Sequence, residues 1–209
     1  MHVLYAYAAA AEGDAVANRL PEGLRIGVGK TASAAAMTER LCKGPQVDLV
    51  CLFGVCGAYP DADPPLEVSD LCMVSADMLA DDGLATAGGF ANLTQMELGT
   101  VGPFEMDRRF TAKAAELLGN VPVLRGATVS ACSGTDARSR ELYERTGAHV
   151  ETMEGAAVAV ACQRLDVPLV QLRCVSNRTG DRQRADMDLP RAIARLQAVT
   201  LKLVEKGWL

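Results

Sequence analysis

The sequence is short of several things, and each shortage removes a class of function. Histidine occurs twice, as His2 and His149, so a His/Cys metal centre has almost no ligands to draw on, and no metal is expected. Seven cysteines are present, but none forms a CxxC pair and the number is odd. Several lie in apolar, strand-like runs, which suits buried free thiols in a reducing cytoplasm. Positive charge is in deficit, with 21 Lys and Arg against 26 Asp and Glu and a formal net charge of -5. No Lys/Arg cluster stands out, so a nucleic-acid surface has no electrostatic support. Long apolar runs are missing too. The opening "MHVLYAYAAAAEGDAV" has no basic leader, and Glu12 and Asp14 interrupt it well before the roughly 20 apolar residues of a membrane span, so neither signal peptide nor membrane anchor is expected.

What remains is an ordinary globular composition, 49% hydrophobic and 22% charged over 209 residues, enough for one sizeable core. There is no internal repeat and no linker-like segment, so residues 1–209 are expected to form one domain. Strand-like and helix-like segments alternate along the chain. "HVLYAYA" reads as a strand, residues 12–20 as a helix, "LRIGVG" as a strand and "TASAAAMTERLC" as an Ala-rich helix. "VDLVCLFGVCGAY" follows as a buried strand entering a glycine-bearing turn. The Pro- and Gly-rich region 59–105 holds one clear strand, "DLCMVSADML". Then come a helix over 107–118, a strand and turn at "TVSACSG", a helix over 136–147, a buried strand "PLVQLRCVSN" and a final amphipathic helix over 188–206. Such alternation predicts an α/β fold with a mostly parallel sheet covered by helices on both faces, binding its ligand at the carboxyl ends of the strands.

"GVGKT" at 27–31 matches the end of a phosphate-binding P-loop, whose backbone cradles phosphates. The spacing fails, because such a loop needs Gly where Leu24 stands, and the motif reads as a tight strand-to-helix turn. More informative is "VETMEGAAVAV" at 150–160, where Glu154 enters an apolar helix. An isolated carboxylate there is unfavourable unless something pairs with it. Glu12, the "FGVCGAY" turn and the "CVSN" strand end fall on the same rim of the expected sheet, and Glu154 joins them. Each also has a plain structural reading: Glu12 and Glu154 as first-turn carboxylates favoured by a helix dipole, Asn177 as a turn residue, Gly54 and Gly57 as a sharp bend.

The run "ETMEGAAVAVACQRLDVPLVQLRCVSN" resembles the second half of the nucleoside phosphorylase and nucleosidase superfamily, in which a Met-Glu-Gly/Ala-Ala helix precedes a strand ending in Ser-Asp or Ser-Asn. "GVGKTAS" and "FGVCGAY" fall where that family has its second and third strand ends. The resemblance implies a three-layer α/β/α fold around a central mixed, mostly parallel sheet, a small nucleoside as substrate, no organic cofactor, and a homo-oligomer. It implies Glu12 as the general base on water, Glu154 on the ribose hydroxyls, Met153 against the sugar, and Asn177 on the purine N7 and 6-position. Gly54, Val55, Cys56 and Gly57 would line the substrate from the third strand end, and Arg182 would reach the substrate's far end or brace its own loop.

Family phosphorylases carry a Gly-Asp-Pro-x-x-Arg signature after the first strand and an Arg with Ser or Thr near the third. Here "AAAAEGDAV" and Leu52 and Val55 stand instead, which leaves a phosphate dianion uncompensated and favours water as nucleophile. Methylthioadenosine nucleosidases carry Asp at the position of Asn177, whereas the neutral amide suits a 6-oxopurine. The phenylalanine that often stacks on the base is missing from "SGTDARS", leaving Phe90 and Phe104 as candidates. The alternatives are a methylthioadenosine-type nucleosidase with Asn at 177 and a catalytically silent nucleoside-binding protein.

Overall fold

A computed structural model describes residues 1–181 and 187–207. Its centre is a set of strands whose side chains alternate between two cores. In β1 (Val3–Tyr7), Val3, Tyr5 and Tyr7 point to one core while Leu4 and Ala6 point to the other. In β3 (Leu49–Ala58), Leu49, Cys51 and Phe53 join the first core, and Val50 and Leu52 the second. A strand buried on both faces needs this unbroken apolar run, because successive side chains leave opposite faces of the pleat. Each fully buried Leu or Val stabilises the fold by roughly 1.5–3 kcal/mol relative to exposure.

The first core is closed by α3 (Arg108–Leu117) and α6 (Leu189–Glu205), the second by α2 (Lys30–Lys43) and α5 (Gly155–Arg164). The Ala- and Gly-rich face of α5 lets it lie tightly between α2 and the sheet, with seven of its ten residues buried. The layers are therefore helix, sheet, helix, as expected.

The sheet is mixed and mostly parallel. β1 pairs in parallel with β2 (Gly23–Arg25) and β3, and β3 in parallel with β10 (Leu169–Arg178). β10 then runs antiparallel to β4 (Leu71–Leu79), β4 parallel to β8 (Val123–Thr128), and β8 parallel to β9 (Val150–Thr152). β9 returns antiparallel to the end of β3, so β3, β10, β4, β8 and β9 close a circuit. Short β7 (Phe104–Glu105) adds to β4, and β5 (Gly83–Thr86) with β6 (Gly89–Asn92) makes a separate hairpin. The carboxyl ends of β1, β3 and β10 share one rim, and the circuit curls the β9 segment over it.

Three expectations are corrected. The helix over 12–20 is a short α1 (Ala10–Gly13) and a separate 3₁₀ turn at Ala17–Arg19. Asp14 is drawn aside between them by the Tyr7 hydroxyl at 3.0 Å and Arg25 at 2.9 Å. The strand placed at "TVSACSG" ends where it was expected to begin, at Thr128; beyond it the turn is tied by the Val129 N–H to Thr152, by the Gly180 N–H to the Ser133 carbonyl, and by side chains, Asp81 on the Ser130 amide and Glu151 on that of Ser133. Strand β9 and the β5–β6 hairpin were not expected, because three- and four-residue strands carry too little periodicity to register.

Candidate active site

Glu12 sits in the single turn of α1, directly after β1. Its Oε2 accepts from the Ala8 and Ala9 amides at 3.0 and 2.9 Å, and its Oε1 from the Val55 amide of β3 at 2.9 Å. A carboxylate offers about four acceptor positions, so about one remains for a molecule in the cavity. The side chain is 6% exposed.

Glu154 stands at the N-terminus of α5 but does not cap it. Its Oε1 instead accepts from the Gly29 amide at 2.9 Å, 125 residues away in sequence. Burial pushes its carboxyl above the ordinary value, and the Glu12 charge adds to this, while the Arg173 guanidinium and the Gly29 amide pull it down. Gly29 has φ of +90°, a conformation that side-chain-bearing residues adopt only under strain, and this aims its N–H at the carboxylate.

Asn177 follows a bulge in the β10–β3 ladder, at Ser176. Its Nδ2 donates to the Arg178 carbonyl at 2.8 Å, and the Ser176 hydroxyl lies 2.9 Å from its Oδ1. One amide hydrogen and one oxygen lone pair stay free. At Gly57, on β3, a Cβ would come within 2.7 Å of Thr179, just past the end of β10.

These groups line one cavity of about 200 Å³, with Glu12, Val55, Cys56, Gly57, Met153, Glu154 and Asn177 all in its wall. Gly54 lies behind the wall instead of in it. A Cβ at Gly54 would fall 2.5 Å from Arg173 Nη1 and 3.0 Å from Glu12 Oε1, so the glycine admits a guanidinium beside the carboxylate. Arg182 lies outside the described residues. Phe90 and Phe104 do not reach the cavity: the Arg145 guanidinium stacks 3.8 Å over Phe90, and Phe104 is buried in the core beneath α5. No aromatic residue is among the described lining.

Arg173 was not foreseen. It is 1% exposed, donates through Nη2 to Gln171 Oε1 at 3.0 Å, and acts electrostatically on Glu154 and on buried Asp77. An Arg inside the apolar strand "LVQLRCV" was the available signal, because a buried guanidinium needs counter-charge nearby. Glu151 was also missed. Its carboxylate accepts from the Ser133 amide at 2.8 Å, the Ser133 hydroxyl at 2.5 Å and the Tyr59 hydroxyl at 3.0 Å, which fixes the segment that brings Cys132 to the cavity.

Three glutamates line the partly apolar cavity, with no Lys or Arg among the described lining residues; Glu151 is tied to Ser133 and Tyr59, while Glu12 and Glu154 keep acceptor positions that suit the hydroxyls of a ligand. A model of the phosphorylase superfamily matches residues 23–205. The chain is 37% identical to the futalosine hydrolase of Streptomyces coelicolor, over 100% of this chain and 98% of that protein. It is 36% identical to the futalosine hydrolase of Thermus thermophilus, over 88% of this chain and 81% of that one. Among solved structures, a futalosine hydrolase mutant of Helicobacter pylori aligns with a TM-score of 0.82 over 99% of both chains at 19% identity, a likeness of fold. The chain belongs to the phosphorylase superfamily.

Proposed function

We propose that residues 1–209 form one catalytic unit that hydrolyses the N-ribosidic bond of futalosine, releasing hypoxanthine and dehypoxanthine futalosine, a step of the alternative menaquinone pathway. The observation that carries this reading is the pairing of Glu12 and Glu154 across a cavity whose described lining has no cation. A phosphate dianion would meet three lining glutamates, with Arg173 behind the wall, shared with Gln171, as the nearby counter-charge, whereas water is uncharged.

Cleavage of an N-riboside develops cationic character on the sugar, so the useful interactions are those that strengthen as that charge appears. Glu12, its other acceptor positions taken by main-chain amides, directs its free lone pair at the attacking water and removes its proton. Glu154 accepts from the ribose hydroxyls and adds negative potential beside the cationic sugar. Met153 packs against the sugar with a thioether that fills irregular space. Asn177 turns its free N–H toward N7 or O6 and assists departure of the base. Val55, Cys56 and Gly57 form the floor beneath the substrate.

A nucleoside needs no metal or organic cofactor for this step. No helix among the described residues is long and apolar enough to cross a membrane, and the free cysteines, five of seven buried, fit a reducing cytoplasm. A homo-oligomer belongs to the same proposal, supported by the resemblance and by exposed Val28 at the cavity, Leu84 in the β5–β6 hairpin and Leu98 shortly after it.

The test is chromatography of products after incubation with futalosine, inosine and methylthioadenosine, each with and without phosphate. Hypoxanthine released from futalosine at a rate independent of phosphate is the expected result. Phosphate dependence would overturn the hydrolase reading, preference for methylthioadenosine the substrate assignment, and no turnover at all the assignment as an enzyme.

A further inference from the structure

The "GVGKT" turn is not explained by phosphate binding, yet its features are unusual for a plain turn. Lys30 is the first residue of α2, where the unpaired amides of a helix N-terminus repel a cation. Its side chain is nevertheless only 14% exposed, and it donates to Asp81 at 2.5 Å and also to Asp82, both of which follow β4. Burial works against both charges of the pair, but the partners outweigh it, holding Lys30 above and Asp81 below their ordinary values.

Asp81 has a second attachment. Its Oδ2 accepts from the Ser130 amide at 2.8 Å, at the start of the segment whose Cys132 lines the cavity. One carboxylate therefore joins two separate loops of the cavity wall. On the other side of Lys30, Gly29 gives its N–H to Glu154, and Val28 lines the cavity while 56% exposed. Ser33, fully buried, returns its hydroxyl to the Gly29 carbonyl at 2.9 Å, so the first turn of α2 and the glycine move as a unit.

We propose that Lys30, gripped by Asp81 and Asp82, is a positioning residue that sets the Gly29 amide on Glu154 and so determines how firmly Glu154 holds the ribose hydroxyls. This rests on the nucleosidase reading above. Without the grip, the loop 27–29 keeps only the Gly29–Glu154 bond itself and local ties to α2, and a glycine pair with positive φ is the part of the chain with most conformational freedom to regain. Glu154 would then share its acceptor positions with solvent, and the charge-assisted bond to the sugar would weaken.

The readout is a ratio that general damage does not change: kcat/KM for futalosine divided by kcat/KM for its 2′-deoxy and 3′-deoxy analogues. Lys30→Met and Asp81→Asn should each lower that ratio for the hydroxyl that Glu154 holds, by about tenfold, the scale of losing one charge-assisted hydrogen bond. Lys30→Arg, which keeps the ion pair, should retain most of it. Far-UV circular dichroism and melting temperature establish that each variant is folded, and Asp82→Asn provides a milder variant if Lys30→Met does not fold. An active wild type with an unchanged ratio in the folded variants overturns the positioning role alone. A wild type that does not cleave futalosine, or shows no preference for either hydroxyl, overturns the nucleosidase reading or the Glu154 role, and the inference with it.

Discussion

Glu12 and Glu154 face the same cavity but are anchored by two different kinds of structure. Glu12 is held by three main-chain amides, all within or directly beside adjacent parallel strands β1 and β3. Glu154 is held by one side-chain-to-amide bond from a loop, and that loop is itself tied down by Lys30 and Asp81. The sheet ladder makes the first anchor stiff. The second depends on side chains from three separate segments and on the Ser130 amide of a fourth, and so offers more ways to adjust ligand preference without disturbing the fold. The proposed chemistry would use this division, since a general base has to be placed to within a fraction of an ångström of its water, while sugar and purine contacts can be tuned.

The largest effect is expected at the stiff anchor. Glu12→Gln should lower kcat on the order of 100-fold or more, the usual scale for a general base. It should also destabilise the fold by about 1–3 kcal/mol, because the amide NH2 must face one of the three N–H donors and leave it unsatisfied. Steady-state kinetics with urea unfolding measures both, and near-native turnover would remove Glu12 from its role.

Asn177, just past the bulge near the end of β10, sharpens the contrast from a third position. Asn177→Asp sets a carboxylate oxygen where Nδ2 now donates to the Arg178 carbonyl, and removes the donor that suits a 6-oxopurine. The ratio of kcat/KM for futalosine over aminodeoxyfutalosine should fall by roughly 5-fold to 150-fold, the range for one buried mismatched hydrogen bond. An unchanged ratio would make Asn177 a turn residue.

Glu154 tests the loop anchor through pH. A carboxyl whose folded pKa is raised lends stability that is fully present below its unfolded value, here 4.5, and is lost as pH rises through the higher folded value. Glu154→Gln removes that loss, so the variant should melt higher than wild type at neutral pH and the gap should close below 4.5. The same variant should lower kcat as well as raise KM, since the hydroxyl contact strengthens in the transition state. A gap in melting temperature that does not vary with pH would mean that Glu154 is not held at a desolvation penalty.

The smallest effect lies outside the comparison and serves as its control. Ser69 is 1% exposed, has φ of +76° and leaves its buried hydroxyl without a hydrogen-bond partner. Ser69→Gly should stabilise the protein by about 1 kcal/mol and raise the melting temperature by roughly 2–4 °C, with kinetics unchanged.

The sequence by itself determined the layers and most of the rim. Buried strands such as "LVCLFGVCGA" and the amphipathic pattern of 188–206 are written in side chains a few positions apart, where the periods of 2 and 3.6 act directly. Glu154 was legible as a carboxylate in need of a partner for the same local reason. Its partner was not, because a main-chain N–H looks the same in every residue, and only the packing of α2 against α5 decides that Gly29 supplies it. The guanidinium of Arg173 beside Glu12, the closing of β9 onto β3 and the Lys30–Asp81 junction also belong to the tertiary structure. Each joins segments distant in sequence, and such pairings are selected by the summed burial and electrostatics of the whole core, which no short window contains.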